Sequence, residues 1–186
     1  QLSAMDEAEY RRWESCIGKT VKARVTECNA NGLQLDLAGL HGVPVWLQRD
    51  EYSWHRDETH ADAKVGTELT VTGMEIELAR RRILASRRRL TANPYLNYNP
   101  GETVSCSVTM TTDKGAELDI DRLQGWIFND RLVHLPQERL NGSESGRFDA
   151  TVVRVATEDG KITVSRWPQV QQLLRTAAEA MVLIGE

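Results

Sequence analysis

Hydrophobic and polar residues alternate along several short stretches of the chain, and each stretch predicts a half-buried β-strand. In residues 19–26, apolar side chains fall on one face of the strand, while Lys22 and Arg24 fall on the other. Asn and Gly residues at 29–32 predict a turn, because both tolerate positive φ. Four more strands are predicted in the first half of the chain, at 33–37, 43–47, 69–76 and 82–86.

The chain contains two copies of this pattern. Three glycines recur with a constant offset of 83 residues, namely Gly18 with Gly101, Gly32 with Gly115 and Gly42 with Gly125. Self-similarity at so large a spacing indicates two small domains rather than a solenoid. We therefore expect the domains to superpose with Gly32 on Gly115 and Gly42 on Gly125. The second copy is predicted to repeat the five strands, at 104–108, 116–120, 126–128, 148–155 and 161–165.

The offset between the copies shrinks further along the chain. It is 80 between Gly66 and Gly146, and 79 between Ser86 and Ser165. The second copy is therefore about four residues shorter than the first, and most of the loss is expected before Gly146.

Five short antiparallel strands with one long excursion after the third predict a small closed Greek-key barrel of the OB type. The fold class is therefore all-β, with two tandem five-stranded barrels at 17–90 and 100–167, joined by a linker at 91–99. Helices are predicted on both flanks, at 1–16 and 168–186. The C-terminal helix carries one apolar stripe, which can pack against the second barrel or against another protein.

Composition excludes several classes of protein. The chain has 186 residues, of which 40% are apolar and 27% charged, and no run approaches the roughly 20 apolar residues of a membrane span. Its first residues are polar, so we expect no signal peptide and no secretion. Three cysteines without a CxxC spacing and four scattered histidines predict no metal site. We find no catalytic motif, and so expect no enzyme.

Charge is distributed unevenly between the copies. The net charge is −4, yet residues 18–90 hold 12 Lys and Arg against 10 Asp and Glu, whereas residues 101–167 hold 8 against 11. Residues 80–89 contain six arginines, Arg80, Arg81, Arg82, Arg87, Arg88 and Arg89, which we call the arginine cluster. A local density of this kind can attract a polyanion whatever the global charge. It is equally typical of a solvated surface.

Ordered motifs in both copies resemble the S1 RNA-binding domain. In the first copy they are Gly32, Leu35-Asp36-Leu37, Gly42, Val65-Gly66, Glu75-Ile76-Glu77 and Arg82-Ile83-Leu84-Ala85-Ser86. In the second they are Gly115, Leu118-Asp119-Ile120, Gly125 and Gly160-Lys161-Ile162-Thr163-Val164-Ser165. The resemblance covers about residues 17–167. It implies an OB barrel that binds single-stranded RNA on the face of its second and third strands, without a cofactor.

The resemblance also implies where bases stack. The family places an aromatic before the glycine of the second strand, another two residues after it, and a His on the third strand. These positions correspond to Asn31, Gln34 and Val45 in the first copy, which therefore lacks aromatics there. In the second copy they correspond to Lys114, Glu117 and Phe128.

The candidate RNA-binding residues are therefore cations of the first copy, together with two aromatics and two cations of the second. They are Lys22, Arg24, Arg80, Arg81, Arg82, Lys114, Trp126, Phe128 and Arg131. Alternation turns Trp126 toward the same face as Phe128. Glu117 and Asp119 share that face and would repel a phosphate backbone. Trp126 is also compatible with closing the barrel or packing on the other copy.

The resemblance implies a non-catalytic protein that binds single-stranded RNA such as messenger on the small ribosomal subunit, in the cytoplasm or in an organelle. The alternative is a structural subunit of an organellar ribosome, an RNA polymerase or an RNA-processing complex, whose degenerate barrels mainly contact protein. The weak aromatic faces favour that alternative. The C-terminal helix is a further candidate for a protein contact.

Overall fold

The structure, a computed structural model, describes residues 5–129 and 146–168 together with the single positions 171 and 175. The chain forms two compact units, Gln1–Asn93 and Pro94–Glu186. Positions 167, 168, 171 and 175 are helical, and the rest of the predicted C-terminal helix lies outside the described residues. Among the residues described, no helix is long and apolar enough to cross a membrane.

The first unit begins with helix α1, Glu7–Glu14. The side chain of Asp6 accepts a hydrogen bond from the backbone N–H of Ala8, and acidic Glu7 and Glu9 follow in the first turn, as the helix dipole favours. Trp13 is buried among the core residues of the barrel that follows. The predicted N-terminal helix is therefore present and contributes to the first core.

The first barrel is closed, with strand order β1-β2-β3-β5-β4. Inward side chains alternate with outward ones, so that Leu33, Leu35 and Val45 are buried while Gln34 is exposed. Neighbouring strands are antiparallel except for β3 and β5, which pair in parallel and close the barrel. The strands are β1 Thr20–Asn29, β2 Gly32–Leu37, β3 Val45–Gln48, β4 Glu68–Glu77 and β5 Arg82–Ser86.

The second barrel has the same topology, closed in the order β10-β8-β7-β6-β9. Strands β8 and β10 form its parallel pair. Two closed five-stranded barrels of this kind confirm the predicted tandem OB-type, all-β fold. The strands are β6 Thr103–Thr111, β7 Gly115–Ile120, β8 Leu123–Phe128, β9 Arg147–Ala156 and β10 Lys161–Ser165.

Strand register shows which residues of the two barrels correspond. Gly32 lies opposite Gln48, and Gly115 lies opposite Phe128. Gly32 and Gly115 therefore occupy equivalent positions, as predicted. The same registers make Gly125 equivalent to Val45, because these residues face Leu118 and Leu35 respectively. The predicted superposition of Gly42 on Gly125 is therefore wrong.

The cause is a shorter connection between the second and third strands. In the second barrel, Asp121 and Arg122 form a tight turn with φ of 49° and 70°, as expected for a two-residue hairpin. In the first barrel the connection runs from 38 to 44. The offset between equivalent residues falls from 83 at Leu35 and Leu118 to 80 at Val45 and Gly125, so three residues are lost here, well ahead of Gly146.

Gly32 and Gly115 are required by the same close approach. A Cβ atom at Gly32 would lie 2.2 Å from the backbone oxygen of Leu47, and one at Gly115 would lie 2.1 Å from that of Ile127. In both barrels, a backbone oxygen of the third strand thus lies against the glycine that begins the second strand.

Residues from the predicted linker pack within the second unit. Tyr95 is almost fully buried, and its hydroxyl oxygen accepts a hydrogen bond of 2.9 Å from the backbone N–H of Gln124. The Tyr98 hydroxyl donates to Asp121 at 3.1 Å, and burial together with this carboxylate raises the pKa of Tyr98 to about 12. Both tyrosines therefore hold the start of the second unit against its β7–β8 turn.

Candidate nucleic-acid interface

Trp46 is the aromatic residue on the outward face of strand β3. It lies opposite Gln34 on β2 and Leu84 on β5, and its side chain is half-buried. The guanidinium carbon of Arg82 lies 5.3 Å from the centroid of the Trp46 ring. A cation in this position is attracted to the negative face of the ring.

Trp126 occupies the equivalent position on β8. It lies opposite Glu117 on β7 and Thr163 on β10, and the Nζ atom of Lys161 lies 4.9 Å from its ring centroid. Arg82 and Lys161 are themselves equivalent, because each is the first residue of the strand that closes its barrel. We call the tryptophan and the cation over its ring the Trp–cation pair of each barrel.

Phe128 extends the aromatic surface of the second barrel. Its side chain is 48% exposed, and its ring lies edge-on to Trp126 with a centroid separation of 5.8 Å and an interplanar angle of 80°. The equivalent residue of the first barrel is Gln48. Two adjacent aromatic rings are therefore available for stacking in the second barrel, and one in the first.

The two cations are held differently. Arg82 donates through Nε to the carboxylate of Glu77, which lies opposite it on β4, and both side chains are largely buried. The residue opposite Lys161 is Ala156. Lys161 is exposed and has no carboxylate within ion-pair distance among residues 5–129 and 146–168. Within the part of the chain that the structure describes, a carboxylate thus holds the cation of the first barrel, and none holds that of the second.

Each member of the arginine cluster is paired with a carboxylate. Arg88 is only 10% exposed, bonds Glu51 at 2.7 Å and stacks 4.3 Å from the ring centroid of Trp54. Arg80 and Arg81 are more accessible, with 65% and 40% of their side chains exposed. The pairs are Arg80–Glu77, Arg81–Glu9, Arg82–Glu77, Arg87–Glu58, Arg88–Glu51 and Arg89–Glu51.

The predicted cations of β1 lie beside a shallow cleft of mixed charge. Lys22 and Arg24 line this cleft of about 240 Å³ together with Asp36 and Glu68. Arg24 bonds Glu68 at 3.2 Å, and both side chains are about two-thirds exposed. An exposed pair of this kind contributes little and exchanges readily with another anion. These cations lie on β1, which β2 separates from Trp46.

Lys114 lies at the end of the second barrel that carries Phe128. Its carbonyl accepts a hydrogen bond of 3.1 Å from the backbone N–H of Asn129, and its side chain is exposed. Glu117 and Asp119 alternate outward along β7, as predicted. Arg131 lies outside the described residues.

Sequence reasoning missed Trp46 and Lys161. The constant offset of 83 placed the third-strand ligand position of the first copy at Val45, but Val45 is 1% exposed and points into the core. Locating the shrinkage before β3 would have aligned Trp46 with Trp126 at an offset of 80, and Arg82 with Lys161 at 79. The offsets of 80 and 79 later in the sequence already indicated this shrinkage.

Metal-ligating side chains are scattered over the part of the chain that the structure describes. Within 5–129 and 146–168, no three His, Cys, Asp or Glu residues are placed to hold a metal ion. Burial raises the pKa of the Cys106 thiol to about 12, so this cysteine is not a nucleophile at neutral pH. The chemistry of the outward faces is that of stacking and charge.

Comparison with known proteins gives remote similarities. No protein-family model matches the chain. The 4-hydroxy-3-methylbut-2-enyl diphosphate reductase of Clostridium acetobutylicum is 27% identical over 158 residues, which is 80% of this chain and 24% of that protein. The chain thus spans about a quarter of the length of this curated relative.

Two solved structures are similar at low scores. The a/eIF2alpha-aDim2p-rRNA complex of Pyrococcus horikoshii OT3 matches with a TM-score of 0.37 and 22% identity, over 40% of this chain and 45% of that chain. A multidomain protein with nucleic acid binding domains from Streptococcus pneumoniae matches with a TM-score of 0.29 and 16% identity, over 79% of this chain and 50% of that chain. At these values, function has to be inferred from the two Trp–cation pairs themselves.

Proposed function

We propose that this chain is a non-catalytic protein that binds single-stranded RNA, mainly through the outward face of its second barrel. The observation that carries the proposal is the Trp–cation pair found at equivalent positions of both barrels. A flat ring on which a base stacks, beside a cation that meets the phosphate, is what sequence-tolerant binding of single strands requires. In the second barrel, Phe128 adds a second ring.

Magnitudes favour the second barrel over the first. An exposed cation–π contact is worth about 0.5–1 kcal/mol, whereas stacking a base on an aromatic side chain is worth about 1–3 kcal/mol. A base can therefore displace Lys161 from the Trp126 ring, and the released ammonium can then meet a phosphate. In the first barrel the base must also disturb the charge-assisted bond between Arg82 and Glu77, which contributes roughly 1.5–3 kcal/mol. The gain from stacking on Trp46 is then largely offset.

A more specific role follows from the resemblance to S1 domains. We infer a role in translation, in which the chain holds messenger RNA on the small subunit of a cytoplasmic or organellar ribosome. Two tandem OB-type barrels with aromatic outward faces support this role. A protein contact through the C-terminal helix stays part of the same proposal.

The experiment is a titration of the full chain with a labelled single-stranded RNA. The double variant Trp126→Ala, Phe128→Ala should lower the affinity at least tenfold, because it removes two stacking surfaces worth about 1–3 kcal/mol each. RNA should also quench the tryptophan fluorescence of the unmodified chain. Trp167→Ala is the matched control, since Trp167 is a 44% exposed tryptophan of the same unit that lies outside strand β8.

A second candidate function is a structural subunit whose barrels contact protein. The observation that favours it is the pairing of all six cluster arginines with carboxylates, which leaves each of them a partner to exchange before it meets a phosphate. This candidate predicts that the double variant melts at a much lower temperature than the unmodified chain. It also predicts that RNA causes no quenching.

A further inference from the structure

The residue across from the tryptophan differs between the two barrels. Gln34 pairs with Trp46, and Glu117 pairs with Trp126. The backbone setting is the same in both, since the hydroxyl of Thr26 donates to the carbonyl of Gln34 at 3.1 Å and that of Thr109 donates to the carbonyl of Glu117 at 3.2 Å. The position opposite the tryptophan thus holds an amide in the first barrel and a carboxylate in the second.

The charges around Trp126 give a bound nucleotide a direction. Strand β8 lies between β10, which carries Lys161, and β7, which carries Glu117 and Asp119. A phosphate is attracted toward Lys161 and repelled by the two carboxylates on the other side. A base stacked on Trp126 with its phosphate toward β10 therefore directs its hydrogen-bonding edge toward β7. Residues directly opposite on paired strands have Cβ atoms about 4.5–5.5 Å apart, so the side chain of Glu117 can reach that edge.

A carboxylate and an amide recognise different edges. An ionised Glu only accepts hydrogen bonds, through two oxygens, whereas a Gln both donates and accepts. Guanine presents two adjacent N–H donors, N1–H and the N2 amino group, which match both oxygens of a carboxylate. Uracil presents one N–H between two carbonyl oxygens, and these would face the carboxylate unfavourably. Bases of single-stranded RNA are commonly read on this edge.

We propose that Glu117 makes the second barrel selective for guanine over uracil, while Gln34 leaves the first barrel without this selectivity. The inference rests on the proposed RNA-binding function and names the specificity of the same face. A good pair of hydrogen bonds to a base edge discriminates by about 1–3 kcal/mol. Since about 1.4 kcal/mol corresponds to a tenfold ratio of affinities, we expect guanine to be preferred about tenfold.

The test uses the full chain with Trp46→Ala, so that the second barrel dominates binding. Its affinity is measured for a labelled nine-nucleotide oligouridine and for the same oligomer with one central guanosine, adenosine or cytidine. A single guanosine avoids the self-association of guanine runs. We expect the guanosine oligomer to bind about tenfold more tightly than oligouridine, with the adenosine and cytidine oligomers between them.

Two further variants assign the preference to Glu117. Adding Glu117→Gln should bring the guanosine and uridine oligomers to within about twofold of each other, because the amide of Gln offers a donor to the uracil carbonyls. Asp119→Asn is the matched control, since it removes the same charge from the same face but lies opposite Gln124 rather than Trp126. It should keep the guanosine preference while raising both affinities.

Equal binding of the guanosine and uridine oligomers by the Trp46→Ala chain would overturn the inference and leave the proposed function standing. The same holds if Glu117→Gln keeps the preference or if Asp119→Asn abolishes it. Failure of the unmodified chain to bind any of the four oligomers would overturn the proposed function and this inference together.

Discussion

The two barrels have the same fold, and each contains its own Trp–cation pair. They differ in the residue that lies opposite the cation on the neighbouring strand. In the first barrel Glu77 lies opposite Arg82 and binds it, whereas in the second Ala156 lies opposite Lys161. In one copy the cation is thus held on the outward face by a carboxylate of the same barrel. In the other copy, no carboxylate of residues 5–129 or 146–168 lies within ion-pair distance of the cation. The repeated fold therefore presents differently held cations in its two copies.

The charges around the two pairs strengthen this difference. Residues 18–90 are the more basic copy, but the described arginines of their cluster are held by carboxylates. Residues 101–167 are acidic overall, yet they contain the exposed Lys161 beside two aromatic rings. Local partners, rather than the sum of charges, decide which cation can meet a phosphate.

The largest effect is expected from Glu51→Gln in the first barrel. Glu51 and Arg88 are each about 10% exposed, and Glu51→Gln removes the carboxylate charge that lies 2.7 Å from the buried guanidinium of Arg88. Breaking such a pair costs about 3–5 kcal/mol of unfolding free energy, which urea denaturation can measure. Arg80→Gln, at a 65% exposed side chain, should change stability by less than about 0.5 kcal/mol. If Glu51→Gln changes the free energy of unfolding as little as Arg80→Gln does, the arginine cluster is only a solvated surface.

Gly32→Ala and Gly115→Ala test the correspondence of the two barrels. Each new Cβ atom would lie about 2 Å from a backbone oxygen of the third strand, and relief of that overlap should cost roughly 2 kcal/mol. Gly39→Ala, where nothing lies within 4 Å of the added atom, should cost only the strain of its φ of 83°, about 1 kcal/mol. Urea unfolding of the three variants measures the differences. If only one of the two variants Gly32→Ala and Gly115→Ala lowered stability strongly, the two glycines would not be equivalent.

Exchanging the residues opposite the cations should reverse the roles of the barrels. Ala156→Glu gives Lys161 a carboxylate and should weaken binding of single-stranded RNA by roughly fivefold, about 1 kcal/mol. Glu77→Ala releases Arg82 and should strengthen binding by a similar factor. Fluorescence titration measures both. Unchanged affinities in both variants would mean that the partner of the cation does not matter.

The smallest effect concerns salt. Each phosphate neutralised on a single strand contributes about 0.7 to the slope of log affinity against log salt concentration. Lys161→Ala should reduce the slope by about that amount, whereas Arg82→Ala should reduce it by less, because Glu77 already neutralises Arg82. Titrations between 50 and 300 mM salt would measure both slopes. A larger change for Arg82→Ala would place the phosphate contact in the first barrel.

Much of the fold could be predicted from the sequence. Alternation in stretches such as 19–26 and the recurrence of Gly32 as Gly115 were sufficient for two OB-type barrels, because inward and outward positions repeat with a period of two. The parallel pairing of β3 with β5 was not predicted. It joins strands separated by a long excursion, and alternation within a strand carries no information about its neighbours.

The candidate site was predicted only in part. Trp126 and Phe128 were found because both lie on one short strand with clear alternation. Trp46 and Lys161 were missed because a single offset was carried past the β2–β3 connection, where the second copy is shorter. The pairing of the arginine cluster could not be predicted either, since Glu9, Glu51 and Glu58 are brought to it only by the closed barrel and its helix.

The central claim is that the two tryptophans at equivalent positions are unequal in binding RNA. It is tested most directly by titrating Trp46→Ala and Trp126→Ala in the full chain with the same labelled single-stranded RNA. We expect Trp126→Ala to lower the affinity about tenfold and Trp46→Ala to lower it by less than about threefold, since stacking on Trp46 is offset by the bond between Arg82 and Glu77. Equal losses, or a larger loss for Trp46→Ala, would contradict the account.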